Sequence, residues 1–200
     1  MKIIVIYDTD KDQAKAGMNI LVWPDSALIK SGKPVFLPDE NLKFHIGFVA
    51  RMDGVGKTIK SRFAGKYYSS VAPALFFLPS RASERLLNKM HPYACDIVAD
   101  FVVVCGDFID KSELQTDSED TVIQLENKDL GSFSEINDET SVLSFIGKRI
   151  DDSIEKASIR NTLKTGDLAG FILSDSYDAV PDSLIKIMVN NKLLIENKLK

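Results

Sequence analysis

Histidine and cysteine are the scarcest chemically active residues of this 200-residue chain, with two of each, and the histidines are His45 and His91. A Ser-His-Asp triad or a histidine-rich metal site therefore has at most two candidates for its central residue. His91 precedes Cys95 by four residues and Asp96 follows directly, which makes a transition-metal site conceivable. One short cluster of this kind more often reflects packing, and we expect both cysteines, Cys95 and Cys105, to be core residues.

The string Gly54-Val55-Gly56-Lys57-Thr58 resembles the end of a phosphate-binding loop. Such a loop needs another glycine five residues before its last one, because the chain must wrap its amides around the phosphates. Arg51 occupies that position, and no good acidic motif for Mg²⁺ follows. The pattern therefore predicts a glycine-rich turn that leads into a helix. Nucleotide binding at this turn stays an alternative, which measurable ATP affinity would support.

The spacing of Asp8, Asp10 and Asp12 mimics the opening of an EF-hand calcium loop. That loop needs a glycine at its sixth position for the turn and a glutamate at its twelfth for bidentate ligation. Gln13 and Asn19 occupy those two positions. The sequence therefore predicts a solvated acidic turn and excludes calcium ligation of this type.

Charge and composition exclude several classes of protein. The chain has 25 Lys and Arg against 29 Asp and Glu, and this net charge of −4 lacks the basic excess of a nucleic-acid binder. Its hydrophobic fraction of 44% and charged fraction of 27% are those of a globular protein. No apolar run approaches the roughly 20 residues of a membrane helix, and two cysteines suit a reducing compartment. We expect a cytoplasmic protein that binds neither membranes nor nucleic acids.

The elements that must position these residues are mostly strands. Period-2 alternation and β-branched runs predict strands, and apolar residues at helical spacing predict two principal helices. The predicted strands are 2–7, 44–52, 101–105, 121–125, 168–173, 184–189 and 193–195. The predicted helices are 58–68 and 141–154, with a short one at 12–18, and 110–120 is predicted to be a surface loop. The proline-punctuated stretches 23–29 and 33–38 should lie at sheet edges or in loops, because proline cannot donate to a ladder.

We find no repeat, low-complexity tract or linker that would divide the chain. The sequence therefore predicts one strand-dominated α+β domain over residues 1–200. Residues 1–20 would form a short strand-helix segment packed on the core of that domain.

Several motifs resemble the fumarylacetoacetate hydrolase family. Pro24-Asp25-Ser26-Ala27-Leu28 and then Lys33-Pro34-Val35-Phe36 match a serine-alanine-leucine stretch and a proline-bounded extended segment. Phe48-Val49-Ala50-Arg51-Met52 and Gly56-Lys57-Thr58-Ile59 match the strand and glycine-lysine turn that follow, which explains the incomplete phosphate loop. Thr165-Gly166-Asp167-Leu168 is similar to a late strand entry. The order holds from about residue 2 to 197, most specifically over 20–70.

This resemblance implies a mixed β-roll core with a few helices, usually as a homodimer. It also implies Mg²⁺ or Mn²⁺ held by three carboxylates, which would polarise a small oxo-acid for hydrolysis, isomerisation or decarboxylation. A histidine-glutamate pair would activate water, and a lysine would help to hold the substrate.

The residues at the implied metal positions do not suit this chemistry. The two glutamate positions fall on His45 and Gly47, and the aspartate position falls on Phe76. Glycine and phenylalanine offer no ligand atom in their side chains, so we expect no metal ion and no other cofactor at these positions.

The other implied site positions are substituted as well. The histidine-glutamate pair falls on Gln13 and Ala16, and glutamine cannot accept a proton at neutral pH. The lysine position falls on Met90, although Lys89 is adjacent. A late substrate loop falls within 172–174, where none of the expected residues is kept.

Two functional hypotheses follow from the resemblance. The first is an inactive member of the family, a pseudoenzyme that binds or assembles with a second copy or with an active paralogue. The second is a divergent hydrolase, isomerase or decarboxylase with a rebuilt site, for which His45, Lys89 and His91 are the candidates, with Asp96. Mg²⁺ or Mn²⁺ would be needed only under the second hypothesis.

Overall fold

The computed structural model describes residues 1–7, 19–37, 41–88, 100–115, 121–125, 128–132, 142–189 and 192–200. Strands dominate these residues, with three α-helices and two short 3₁₀ helices among them. The strands are β1 Lys2–Tyr7, β2 Asn19–Pro24, β3 Leu28–Lys30, β4 Leu42–Met52, β5 Tyr68–Pro79, β6 Val103–Cys105, β7 Ile109–Asp110, β8 Thr121–Leu125, β9 Lys128–Ser132, β10 Leu168–Asp178, β11 Leu184–Val189 and β12 Lys192–Lys198. The helices are α1 Ser61–Ala64, α2 Ser80–Leu87 and α3 Val142–Arg160, and the 3₁₀ helices are Asp25–Ala27 and Lys111–Gln115.

The principal sheet is mixed and has eight strands. Its order is β2-β1-β10-β4-β5-β6-β3, and β7 pairs with β5 beside this path. The β1–β10 and β3–β6 pairs are parallel and the other pairs are antiparallel. A second sheet has the order β12-β11-β8-β9. This architecture confirms the predicted strand-dominated α+β fold.

Two apolar cores lie on opposite faces of the principal sheet, because successive side chains of a strand point to opposite sides. One core joins β4 and β5 to α3 and to the second sheet, through residues such as Phe48, Ile150 and Ile187. The other core joins β1 and β2 to β4, β5 and α2, through residues such as Trp23 and Leu86. None of the described helices is long and apolar enough to cross a membrane.

Asp167 ties the amino-terminal strand to the entry of β10. Its carboxylate accepts hydrogen bonds from the backbone N–H of Lys2 at 2.8 Å and from that of Lys164 at 2.9 Å. The side chain is buried and also lies 3.8 Å from the Lys2 ammonium. One carboxylate therefore holds together the starts of the parallel strands β1 and β10.

The elements with the clearest sequence patterns were predicted correctly. The predicted strand 2–7 is β1, and 44–52 lies within β4. The proline-punctuated stretch 23–29 spans the end of β2, a 3₁₀ helix and the start of β3, and β2 and β3 are the two edge strands. Residues 33–37 of the other stretch form no strand and make one isolated bridge, from Val35 to Leu199. The predicted helix 141–154 is α3, which runs on to Arg160. The predicted short helix at 12–18 lies outside the described residues.

The prediction of a helix over 58–68 was wrong. Only Ser61–Ala64 is helical, and Thr58 before it has a left-handed φ of 55°. Ile59 is buried while Phe63 is 43% exposed, so the apolar residues at fourfold spacing do not share one face. The predicted strand 101–105 is also shorter, since it covers only Val103–Cys105. Strand β5 and helix α2 had not been predicted.

Candidate functional site

The three positions where the resemblance implies metal ligands lie on one face of the principal sheet. His45 is directly opposite Phe76 in the β4–β5 register, and Gly47 is opposite Ala74. Residues two apart on a strand share a face, so His45, Gly47 and Phe76 are neighbours. We call these three residues and their contacts Tyr7, Trp23 and Ser83 the His45 cluster.

His45 is enclosed and hydrogen-bonded within this cluster. The residue is 0% exposed, and its Nε2 lies 3.1 Å from Oγ of Ser83, which is itself buried on α2. The ring of Tyr7 meets the imidazole edge-on with the ring centroids 5.7 Å apart. The contacts therefore fit a packed polar pair better than an open metal ligand.

Gly47 and Phe76 leave no room for carboxylates. A Cβ at Gly47 would stand 2.1 Å from the backbone oxygen of Phe171 and 3.0 Å from Cε2 of Phe76. The ring of Phe76 is fully buried and packs on Trp23, with the ring centroids 5.5 Å apart. An apolar ring thus occupies the space beside Gly47.

The chemistry of these side chains does not fit Mg²⁺ or Mn²⁺. Such hard cations prefer oxygen ligands, whereas His45 offers one nitrogen and the other two positions offer no ligand atom. Among the described residues, no group of three His, Cys, Asp or Glu side chains is placed to hold a metal ion.

Of the remaining predicted site positions, Ile172 and Leu173 of the implied late loop lie within strand β10. Lys89, Met90 and His91 lie outside the described residues, as do Cys95, Asp96, Gln13 and Ala16. Of the two cysteines, Cys105 is a buried core residue, as predicted. Burial and the nearby Asp107 raise the pKa of its thiol to about 12, so the reactive thiolate is disfavoured.

Two amides of the Gly54–Thr58 turn, those of Gly56 and Thr58, donate to other parts of the protein. The Gly56 N–H donates to the Leu163 carbonyl at 3.0 Å, and the Thr58 N–H donates to the Ser158 carbonyl at 2.9 Å. The next N–H, from Ile59, donates to Ser158 Oγ at 2.8 Å. A phosphate-binding loop must present such donors to its ligand. The turn is therefore a docking point for the end of α3, and it does not support nucleotide binding.

A second polar cluster joins β5 to α3 and the 3₁₀ helix at Lys111. Tyr68 OH donates to Asp151 Oδ1 at 3.0 Å, and Lys111 Nζ donates to the carbonyl oxygens of Tyr68, at 3.0 Å, and of Gly65. Burial and the Asp151 charge raise the pKa of Tyr68, and burial raises that of Asp151. Every group here bonds to another element, which indicates a structural junction.

The sequence did not show which groups Ser83 and Asp167 contact. Ser83 lies on the buried side of α2. In the sequence it is like any other helical serine, because only the fold shows that His45 is its partner. Asp167 belongs to a motif that the family resemblance had selected, but its role as a double acceptor depends on residues 165 positions apart.

Solved proteins of the fumarylacetoacetate hydrolase family share this fold. A candidate fumarylacetoacetate hydrolase family protein from Yersinia pestis CO92 matches with a TM-score of 0.75 and 14% identity, over 100% of this chain and 92% of that one. Fumarylpyruvate hydrolase from Pseudomonas aeruginosa, solved with Mn²⁺ and pyruvate, matches with a TM-score of 0.74 and 13% identity, over 100% of this chain and 90% of that one. 

An isomerase has the same fold. The 5-carboxymethyl-2-hydroxymuconate delta-isomerase from Mycobacterium smegmatis matches with a TM-score of 0.71 and 16% identity, over 99% of this chain and 78% of that one. No protein-family model and no curated protein matches the sequence. At these identities the common property is the fold, and the predicted fumarylacetoacetate-hydrolase-like fold is confirmed.

Proposed function

We propose that this protein is a divergent member of the fumarylacetoacetate hydrolase family that lacks the family's metal-dependent chemistry and acts as a binding or assembly protein. We further propose that it forms a homodimer or pairs with an active paralogue. The fold it shares with solved hydrolases and isomerases supports the family assignment.

One observation supports the proposed absence of metal chemistry. The Phe76 ring packs against Gly47, and the Cβ that any other residue would bring to Gly47 collides with the backbone of β10. An isolated buried carboxylate would be costly without a cation, whereas an aromatic ring fills the same space favourably. The replacement of carboxylates by phenylalanine and glycine is therefore physically consistent with a protein that no longer binds the metal.

Metal analysis tests this proposal. Protein purified without chelator should contain far less than one equivalent of Mg²⁺ or Mn²⁺ by mass spectrometry. Adding Mn²⁺ should leave the thermal midpoint unchanged, whereas a site at a thousandfold excess over its Kd would add about 4 kcal/mol to the free energy of unfolding. Stoichiometric metal held by carboxylates would refute the proposal. Sedimentation at several concentrations tests the homodimer, for which we expect twice the mass of the chain.

A divergent enzyme is the second candidate, and the His45–Ser83 contact favours it. A serine hydroxyl within hydrogen-bond reach of an imidazole is the arrangement of a nucleophile and its general base. In such an enzyme His45 Nε2 would accept the Ser83 hydroxyl proton while Ser83 Oγ attacks a substrate carbonyl carbon and the carbonyl π electrons move to its oxygen. Collapse of this tetrahedral intermediate would break the bond to the leaving group, which would take the proton from the imidazolium. Both side chains are fully buried, so a substrate would reach them only after the cluster opens.

An active-site label separates the two candidates. A fluorophosphonate probe should leave the protein unlabelled if the His45–Ser83 pair is structural. Labelling that is lost in Ser83→Ala and kept in Ser112→Ala, an exposed serine, would establish the divergent hydrolase instead.

A further inference from the structure

A large apolar groove lies beside the edge strand β3, away from the His45 cluster. Its volume is about 750 Å³, and its floor includes Val35, Leu42 and Phe77. Small-molecule sites span roughly 300–1,000 Å³ and have apolar walls with a few polar groups. Phe77 follows Phe76 on β5, so the two rings point to opposite faces of the sheet. The groove is therefore separate from the implied metal positions.

Two aromatic rings at this groove face solvent. Phe36 is 72% exposed and Phe101 is 62% exposed, although both line the groove. Phe101 also has a left-handed φ of 58°, a backbone conformation that is strained for a residue with a side chain. The backbone is held there because the Phe101 N–H donates to the Ser26 carbonyl at 3.1 Å. The protein thus tolerates strain at a position that presents an apolar ring to the groove.

The charged groups that line the groove favour an anion. Lys30 and Lys33 both line it, and neither ammonium forms an ion pair with a carboxylate in the part of the chain that the structure describes. Asp100 is the one acidic residue among the described lining residues. Two cations against one anion leave a net charge of +1, which a single negative charge on a ligand would complement.

We propose that this groove binds an amphipathic monoanion with one apolar chain, namely a free fatty-acid carboxylate. The chain lies along the floor of Val35, Leu42 and Phe77 beneath the two exposed rings, and the carboxylate meets Lys30 and Lys33. This inference stands independently of the metal chemistry, because the groove and the His45 cluster occupy opposite faces of β5. Failure to bind fatty acid and discovery of a bound metal are separate results.

The test is titration calorimetry with dodecanoate below its micellar concentration. We expect saturable binding of one molecule per chain with a micromolar Kd. Each methylene removed, from dodecanoate to decanoate and octanoate, should weaken binding about fourfold. Dodecanol has the same chain without the charge and should bind more weakly. Absence of saturable dodecanoate binding, or equal affinity for dodecanol, would overturn the proposal.

Substitutions locate the site. Lys30→Gln and Lys33→Gln should each weaken dodecanoate binding about two- to fivefold, while Lys57→Gln, an exposed lysine beyond the other end of β4, should not. Phe101→Gly removes the ring and accepts the positive φ, so it should weaken binding about fivefold or more without lowering the unfolding midpoint. If the lysine and Phe101 variants bind normally, the ligand is elsewhere and the proposal fails. If Phe36→Ser and Phe101→Gly instead convert a dimer into a monomer that binds no dodecanoate, a second copy covers the groove and the proposal also fails.

Discussion

Gly47 offers the sharpest test of the structure, because an added methyl group there has nowhere to go. The Cβ of Gly47→Ala would lie 2.1 Å from the Phe171 carbonyl oxygen, where ordinary contacts begin near 3.4 Å. It would also lie 3.1 Å from Cα of Ile172, so the obstacle is the backbone of β10 and no side chain can rotate away. The β4 and β10 strands would have to separate by about 1 Å.

This separation sets the expected cost. Overpacking costs about 1–3 kcal/mol, and each weakened backbone hydrogen bond of the β4–β10 ladder adds about 0.5–1.5 kcal/mol. We therefore expect Gly47→Ala to lower the free energy of unfolding by roughly 3–5 kcal/mol. For a chain of this size the thermal midpoint should fall by roughly 10 °C.

Urea unfolding followed by tryptophan fluorescence measures this cost directly. Trp23 is the only tryptophan, is fully buried, and packs on Phe76 within the His45 cluster. Gly65→Ala is the matched control, since Gly65 has a φ of −58° and no atom within 4 Å of its added Cβ. That control should be neutral or stabilising by up to about 1 kcal/mol. If the free energy of unfolding of Gly47→Ala lies within about 0.5 kcal/mol of the wild-type value, the packing described at this position is wrong.

Three further predictions concern polar and ionisable groups. Asp167→Ala leaves two backbone N–H groups without their acceptor and should lower the free energy of unfolding by about 2–4 kcal/mol in urea titrations; a change under 1 kcal/mol would contradict its role as an anchor. The pKa of Tyr68 is raised on folding, so its stabilising contribution is present below its ordinary pKa and is lost as the pH rises toward the folded-state pKa. In thermal melts, the Tyr68→Phe variant should therefore lose less stability under alkaline conditions than the wild type. Identical pH profiles of the two proteins would contradict this prediction. In a Cys95→Ser background, Cys105 should react with Ellman's reagent at about pH 8 only after denaturation, and fast labelling of the native protein would show that this thiol is not buried.

The elements predicted correctly from the sequence are those in which local pattern and tertiary environment agree. Residues 3–6 form a continuous β-branched run, and α3 has apolar residues such as Ile146, Ile150 and Ile154 at helical spacing, all of them buried. In these segments the side chains that set the pattern are the ones that enter the core, so periodicity alone identified the element.

Strand β5 was missed for physical reasons. It lies between β4 and β6 and is buried on both faces over residues 71–78, which removes the alternation that marks a strand with one exposed face. It also contains Pro73, a residue that normally argues against a central strand. The Pro73 carbonyl accepts from the Gly106 N–H at 2.9 Å, so the acceptor side of the ladder is used although proline has no donor.

The prediction of a helix over 58–68 was wrong because periodicity does not account for hydrogen-bond partners far away in the sequence. Ile59, Phe63 and Tyr67 repeat at helical spacing, yet Thr58 has a positive φ and Ser158, a hundred residues later, binds the amides of Thr58 and Ile59. A helix starting at residue 58 would have needed another backbone conformation there.

The sequence by itself determined which side-chain types stand at the implied metal positions. It showed no carboxylate at the implied metal positions His45, Gly47 and Phe76, and it indicated a strand-dominated fold of the fumarylacetoacetate hydrolase type. These conclusions depend on residue type and order, which are properties of the chain before it folds.

Only the tertiary structure decided what surrounds those positions. The β4–β5 register makes His45 and Phe76 neighbours, α2 brings Ser83 to the imidazole, and β10 closes the space beside Gly47. The groove beside β3 likewise needs Phe36 and Phe101, which are far apart in the sequence, to line one cavity. Distances of this kind arise when sheet strands from different parts of the chain pair, and no local pattern encodes them.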